Sequence, residues 1–443
     1  MERVTRVALV SEHASPIALL GGTDAGGQNV YVDEISRHLA QQGYMVDIFT
    51  RRDTLAMPEV IDWMPGVRVI NLTAGPAEHR SKDAIWPYMP EFRDACLDFI
   101  HRYSVEYDII HSNFWMSGWV AMKLRERLNI PMAHIFHALG VTKRRHQGLA
   151  DTSPQERIAV EAQVAREADY LITPCPNEEA ELITYYGARP ASIRMIPLGV
   201  NTTIFRPIER NRARRYLGLS TQAFTIVYVG RVLPRKDIRN IVLALPELLR
   251  LRSDDRYAPA IRLVVVGGET VDPDPLATPE IGDLQHLAAD LGVTAHVQFV
   301  GNRRQELLRY YYSAGDVVVT TPWYEPFGLT PLEGMACARP VIGSEVGGIM
   351  YSIVDGQTGF LVPPRCPEAL AERLYYLLQH PEGRHTMGEA ARQRVLHDFT
   401  WQRVAEQTAN VYEELLVQPT LQPRLTHPLW STMLDAPSVG GGE

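Results

Sequence analysis

The feature that most restricts the fold is a repeated alternation of short apolar runs with stretches of helical spacing. Val4 to Glu12 (VTRVALVSE) is such a run, closed by a polar loop. After it, GGTDAGGQNVYVDEISRHLAQQG places glycines before Val30, Val32, Ile35 and Leu39 at near-helical intervals, the pattern of a strand, a glycine-rich turn and a helix. The alternation recurs at Tyr44 to Thr50, Val67 to Leu72, Tyr107 to Ser112, Pro131 to His137 and Asp169 to Cys175. Strands buried on both faces and joined by helical crossovers make a parallel, doubly wound sheet.

Gly187 to Pro207 (GARPASIRMIPLGVNTTIFRP) has no periodicity and reads as a connector. The alternation then restarts at Phe224 to Arg231, Arg262 to Gly268, His296 to Asn302, Asp316 to Pro322, Pro340 to Glu345 and Thr358 to Pro364. The expected organisation is therefore two α/β domains, 1–200 and 201–399. An amphipathic helix over 400–417 is expected to pack back on the first domain, and the Pro- and Gly-rich segment 418–443 to form a tail. In such sheets ligands collect beyond the carboxyl ends of the strands, so two facing sheets create a cleft whose chemistry lies in the loops.

Composition narrows the class. With 443 residues, 45% of them hydrophobic, a large core is available, and a net charge of −8 gives no long-range attraction for nucleic acid or acidic lipid. No apolar run approaches the ~20 residues that span a bilayer, and the N-terminus is unlike a signal peptide. A cytoplasmic protein without nucleic-acid or membrane partners is expected. Cys96, Cys175, Cys337 and Cys366 lack ligand or redox spacing, and four buried free thiols are expected, with no metal site.

The loops after the strands hold the candidate residues. Gly26 and Gly27 of DAGGQ can let backbone N–H groups approach an anion, or can be a plain strand-to-helix turn. The loop is not GxGxxG, and Asp47 falls inside its strand, so a nicotinamide-dinucleotide site is disfavoured. His137 sits at a strand end, followed by Lys143, Arg144 and Arg145, with Lys82 and Arg157 elsewhere in the same half. These cations are either a solvated surface or a grip on a phosphorylated acceptor. Arg231 and Lys236 follow the first strand of the second half and are placed to meet a diphosphate. In YEPFGLTPLEGMA, Gly328 and Thr330 open a helix, Glu333 lies in its first turns and Glu325 in the tight loop before it. Glu333 suits either dipole capping or a ligand, while Glu325 needs donors such as paired sugar hydroxyls.

EPFGLTPLEGMACARPVIGSEVGG, VGRVLPRKD, IPLGVN and DAGGQ together resemble the retaining family-4 glycosyltransferases of the GT-B architecture, from about residue 4 to 412. DAGGQNVYV and HALGVTK are most similar to sucrose-phosphate synthases, whose loops read DTGGQ and HSLGRNK. The inositol-phosphate N-acetylglucosaminyltransferases form a second similar group, sharing DAGG, NVYV and HxxWxSG.

The resemblance implies a UDP-glucose donor, a fructose 6-phosphate acceptor and no tightly bound cofactor, with Mg2+ compatible but not demanded. By the same resemblance, Glu325 holds the donor sugar's hydroxyls, Glu333 the ribose, and Arg231 with Lys236 the diphosphate. The backbone of Phe327, Gly328, Leu329 and Thr330 cradles donor phosphate and sugar, and Gly27 lies beside it. His137 sits against the sugar, and Gly27, Gln28, Lys82, Lys143 and Arg157 contact the acceptor's phosphate. His137, Arg231, Lys236 and Glu325 are the expected catalytic set. Two departures bear on the acceptor: Ala25 and Ala138 replace Thr and Ser of the synthase pattern, while Phe114 and Ala138 stand where the inositol-phosphate enzymes carry hydroxyls.

Overall fold

The computed structural model describes residues 4–17, 26–252 and 259–417. The expected tail 418–443 lies outside the described residues, as do Asp24 and Ala25 of the glycine loop. The apolar runs of the first half become β1 (Arg6–Val10), β2 (Met45–Arg51), β3 (Val60–Met64), β4 (Val67–Leu72), β5 (Ile109–Asn113), β6 (Met132–Ile135), β7 (Tyr170–Thr173) and β8 (Ile193–Met195). They form one sheet in the order β3-β4-β2-β1-β5-β6-β7-β8, parallel except for the antiparallel edge strand β3. The second half contributes β9 (Phe224–Val229), β10 (Ile261–Val266), β11 (Val297–Gly301), β12 (Val317–Thr320), β13 (Val341–Ser344) and β14 (Gly359–Val362), ordered β11-β10-β9-β12-β13-β14 and parallel throughout.

The register explains the sequence pattern. Val7 pairs with Val46 and Ile109, and Ile226 with Leu263 and Val317. All of these are fully buried, because helices cover both faces of each sheet. Two strands fall in spans without periodicity. β8 occupies Ile193–Met195 of the expected connector; it is an edge strand of only three residues, half-buried at Arg194 and exposed at Met195, so no alternation could develop. β3 is likewise a half-buried edge strand. The parallel strands of each sheet reverse their order once, between β1 and β5 and between β9 and β12. Loops diverge at these switch points and leave a crevice beyond the strand ends.

The chain returns to the first lobe at its C-terminal helix, Trp401–Val417. The Val200 N–H donates to the Phe399 carbonyl at 2.8 Å, and Gly199 runs so close to Trp401 that a methyl there would lie 2.7 Å from the indole. The Tyr412 hydroxyl is 2.6 Å from His111 Nδ1 in the core of the first sheet. Burial lowers the His111 pKa to about 3, so the ring is neutral and depends on hydrogen bonds alone. Cys96, Cys175 and Cys337 are buried free thiols, whereas Cys366, expected buried, is half-buried because it caps a surface helix after the Arg365 turn. Among the described residues no helix is long and apolar enough to cross a membrane.

Tyr412→Phe removes the hydroxyl and leaves a buried nitrogen of His111 without its shortest partner. A loss of about 1–3 kcal/mol is expected, seen as a lower thermal unfolding temperature. Wild-type stability in that variant would show that this contact does not hold the helix.

Candidate active site in the interlobe cleft

The two switch points face each other, and the candidate residues lie on them. On the second lobe, the turn Pro234–Lys236 follows β9, and the loop carrying Glu325 follows its neighbour β12. The Trp323 N–H donates to the Arg235 carbonyl at 3.0 Å and the Thr321 hydroxyl to the Asp237 carbonyl at 3.3 Å, fastening the two loops together. Lys236 Nζ donates directly to Glu325 Oε2 in an ion pair. Burial acts to raise the Glu325 pKa, but Lys236 and Arg235 outweigh it and hold the carboxyl below its usual range. Burial also lowers the Lys236 pKa, against the opposing effect of Glu325.

The helix Leu329–Ala336 begins beside this pair, with Gly328 at its N-cap in a left-handed conformation (φ 93°). The Phe327 side chain is buried against Phe399, so only its backbone is available to a ligand. The glycines of SEVGG acquire a reason here. At Gly347 (φ 44°) a Cβ would come within 1.9 Å of the Glu325 carbonyl, and the Gly348 N–H donates to the Pro326 carbonyl at 3.1 Å. Glycine lets the Glu345–Gly348 turn press directly on the Glu325 loop. Glu333, at the fifth position of the helix, accepts from the Tyr312 hydroxyl at 2.6 Å. Burial raises its pKa to about 7, only partly offset by that bond. Arg231 lies in the same loop system: its carbonyl accepts from the Tyr228 hydroxyl at 2.8 Å, and a methyl on the adjacent Gly230 would lie 3.9 Å from Thr330 Oγ1.

On the first lobe, Gly27 is exposed at the start of the helix Gly27–Gln41, where a methyl would sit 3.6 Å from Leu329 Cδ1 of the opposite lobe. Gln28 donates to Ser11 Oγ at 3.2 Å and to the Asn113 carbonyl at 3.5 Å. His137 follows β6 with φ 61°, an uncommon conformation for a residue with a Cβ. Its Nε2 is 2.9 Å from Asn113 Oδ1 and its ring packs edge-on against Tyr31, while burial lowers its pKa to about 3. The imidazole is neutral, suited to a hydrogen bond rather than to carrying charge.

The cations separate into two groups. Lys143 donates to Ser153 Oγ at 2.8 Å and pairs with Asp151 at 3.0 Å and Asp83 at 3.9 Å, which places the Lys82 turn beside it. Arg157 Nη1 shares Ser153 at 3.2 Å. Arg157 is only 1% exposed, with Nε on Glu161 at 2.7 Å, Nη2 on the Ala138 carbonyl at 2.8 Å and its guanidinium over the Phe114 ring. Arg144, more exposed, reaches the same Asp151 at 3.7 Å, while Arg145 lies apart over Tyr185 on the outside of the lobe. Phe114 (φ 76°), noted in the sequence only for its missing hydroxyl, covers the Arg157 guanidinium; Asn113, Ser153 and Asp151 were not singled out by sequence reasoning, and the only signal for Asn113 is its place at the end of an apolar run.

The lobes touch around Tyr324, whose hydroxyl accepts from Gln147 Nε2 at 2.6 Å and whose ring stacks on His146 at 5.0 Å. Two facing doubly wound lobes, with a helix N-terminus, a lysine–glutamate pair and an arginine at the crevice of the second, define a GT-B glycosyltransferase. Residues 25–204 match the family described as Glycosyltransferase Family 4, and residues 209–394 that described as Glycosyl transferases group 1. A D-inositol 3-phosphate glycosyltransferase of Corynebacterium diphtheriae is 36% identical over 92% of this chain and 94% of its own. D-inositol 3-phosphate glycosyltransferase 2 of Catenulispora acidiphila is 37% identical over 92% of this chain and 94% of its own. The structure of sucrose-phosphate synthase from Thermosynechococcus elongatus superimposes with a TM-score of 0.83 at 35% identity, covering 93% of this chain and 99% of that one. The chain belongs to the family-4, group 1 glycosyltransferases.

Glu333 yields a pH-dependent prediction. Its folded pKa of about 7 lies above the ordinary carboxyl value, so the folded protein holds an extra proton between the two. That contribution is complete below the ordinary pKa and lost as pH rises through 7. Without ligand, Glu333→Gln should therefore raise stability by about 1–3 kcal/mol at pH 8.5 and leave it nearly unchanged at pH 5. Melting curves of both proteins at the two pH values check this; parallel curves would mean that the carboxyl titrates normally.

Proposed function

We propose that this glycosyltransferase moves glucose from UDP-glucose to fructose 6-phosphate with retention of configuration, giving sucrose 6-phosphate and UDP. The observation that carries the reading is the juxtaposition of the Lys236–Glu325 pair and the Leu329–Ala336 helix N-terminus on one lobe with Gly27 on the other. An entering diphosphate offers Lys236 a second anionic partner, which frees Glu325 to accept from sugar hydroxyls. Arg231 and the helix N–H groups meet the remaining phosphate charge, and Glu333 takes the ribose.

In the transfer, the bond from the anomeric carbon to the diphosphate oxygen breaks with its electron pair on the diphosphate. The acceptor oxygen bonds to the same face, and its proton passes to the departing phosphate. His137 lies against the sugar as a neutral hydrogen-bonding group. Lys143 and Arg157, which share Ser153, together with Lys82 in the turn that Lys143 reaches through Asp83, supply the charge for the acceptor phosphate. Closure of the lobes about the Tyr324 contacts excludes water, which would otherwise hydrolyse the donor.

A second reading, an inositol phosphate acceptor, is favoured by the names of relatives 36–37% identical over 92% of the chain. Against it, Phe114 has no hydroxyl and covers the Arg157 guanidinium, and Ala138 offers only its backbone.

UDP release with UDP-glucose and each acceptor separates the readings: turnover with fructose 6-phosphate is expected, and turnover only with inositol phosphate would reverse the assignment. Fixed donors to developing charge are worth ~3 kcal/mol each, so Lys236→Ala should lower turnover by about 100-fold or more. Near-native turnover in that variant would remove Lys236 from the site.

A further inference from the structure

Beside the Glu325 loop, the lobes enclose a cavity of about 210 Å³. That is below the ~300–1,000 Å³ of drug-sized sites, and fits a body the size of one sugar ring or part of one. Thr142 and His146 form one wall and Asn177, Glu178 and Glu181, on the helix Pro176–Tyr186, another; Tyr324, Glu325 and the exposed Glu345 close it from the second lobe. No lysine or arginine is among the lining residues.

Glu178 distinguishes this cavity from a chance cluster of acids. It is 4% exposed, and its Oε1 has no hydrogen-bond partner. The neighbouring carboxylates are provided for: Glu181 accepts from the Thr142 hydroxyl at 2.8 Å, Glu161 from Arg157, Tyr186 and the Gly140 N–H, and Glu325 from Lys236. Glu178 has no cation. Burial first, then Glu181 and Glu161, push its pKa to about 8, so at neutral pH it is a neutral acid able to donate one hydrogen bond and accept others. A buried polar atom left unpaired is costly, and a ligand hydroxyl removes that cost.

We propose that this cavity receives the hydroxyl edge of the transferred sugar beyond the hydroxyls held by Glu325, with Glu178 as the residue that hydrogen-bonds it and the surrounding carboxylates selecting an uncharged hexosyl group. The inference rests on the donor reading above. A sugar carrying a carboxylate would meet Glu181, Glu325 and Glu345 with no lining cation to balance it.

Titration calorimetry with UDP, UDP-glucose and UDP-glucuronic acid tests this in wild type, Glu178→Ala and Glu178→Gln. UDP should bind all three proteins within about twofold. Glu178→Ala should bind UDP-glucose about tenfold more weakly, the size of one lost hydrogen bond. Glu178→Gln, which matches the neutral acid in shape, should stay within about threefold of wild type, and keeps the test decisive if the alanine variant misfolds. Wild type should bind UDP-glucuronic acid no more tightly than UDP. Undiminished UDP-glucose affinity in Glu178→Ala, equal loss in both variants, or tight UDP-glucuronic acid binding would overturn the proposal while leaving the donor reading intact. Failure of wild type to bind UDP at all would instead remove the donor reading, and this inference with it.

Discussion

A parallel sheet covered by helices on both faces leaves polar groups one place to gather, the rim where strands end. Both sheets obey that constraint, and the parallel strands of each reverse their order once, which gives each rim its crevice. At the second rim, the loops after the adjacent strands β9 and β12, and the helix that follows β12, hold Arg231, Lys236, Glu325 and Glu333. At the first, the segments that end or follow β1, β5 and β6 hold Gly27, Asn113 and His137. The return of the helix Trp401–Val417 to the first lobe, through the Phe399–Val200 contact, ties the two crevices face to face. The site is a consequence of burial elsewhere.

Several residues at these rims adopt backbone conformations that side chains rarely take. His137, Phe114 and Asp237 all have positive φ directly beyond a strand or loop of the cleft. Such conformations cost of order 1–3 kcal/mol and persist only where surrounding structure enforces them. Here the enforcement is visible. Asp237 is pinned through its carbonyl by Thr321, His137 through Nε2 by Asn113, and Phe114 lies between His13 and the Arg157 guanidinium. The strain aims loops that would otherwise point into solvent.

The fold was legible because its driving pattern is local and repeated: buried strands read as apolar runs, and most appear within two residues of their expected limits. The edge strands β3 and β8 escaped, since half-buried strands need no apolar run. On the donor side, Glu325, Gly328 and Glu333 lie within one short stretch, so chain connectivity alone keeps them together. The first lobe was harder. Its cations are spread from Lys82 to Arg157, and only the folded chain shows that Lys143 and Arg157 share Ser153, that Arg144 reaches Asp151 beside Lys143 and that Arg145 turns to Tyr185. The burial of Arg157 by Glu161 four residues on could have been suspected from helical spacing, but an exposed pair has the same spacing.

Three carboxyls in or beside the cleft illustrate how environment, rather than residue type, divides labour. Glu325 has Lys236 and Arg235 close by and stays ionised despite its burial. Glu333 has only the Tyr312 hydroxyl and is poised near neutrality, while Glu178 has no cation and favours its proton. A charged acceptor, a titrating one and a neutral donor therefore stand within one crevice, separated by which cations the fold brings to each. Each of these groups also lacks something that burial withholds. Burial works against the charge of Lys236 and only Glu325 supports it, Glu333 is held away from full charge, and one oxygen of Glu178 has no hydrogen-bond partner. A diphosphate beside Lys236 and hydroxyls beside Glu333 and Glu178 would each supply the partner that burial withholds.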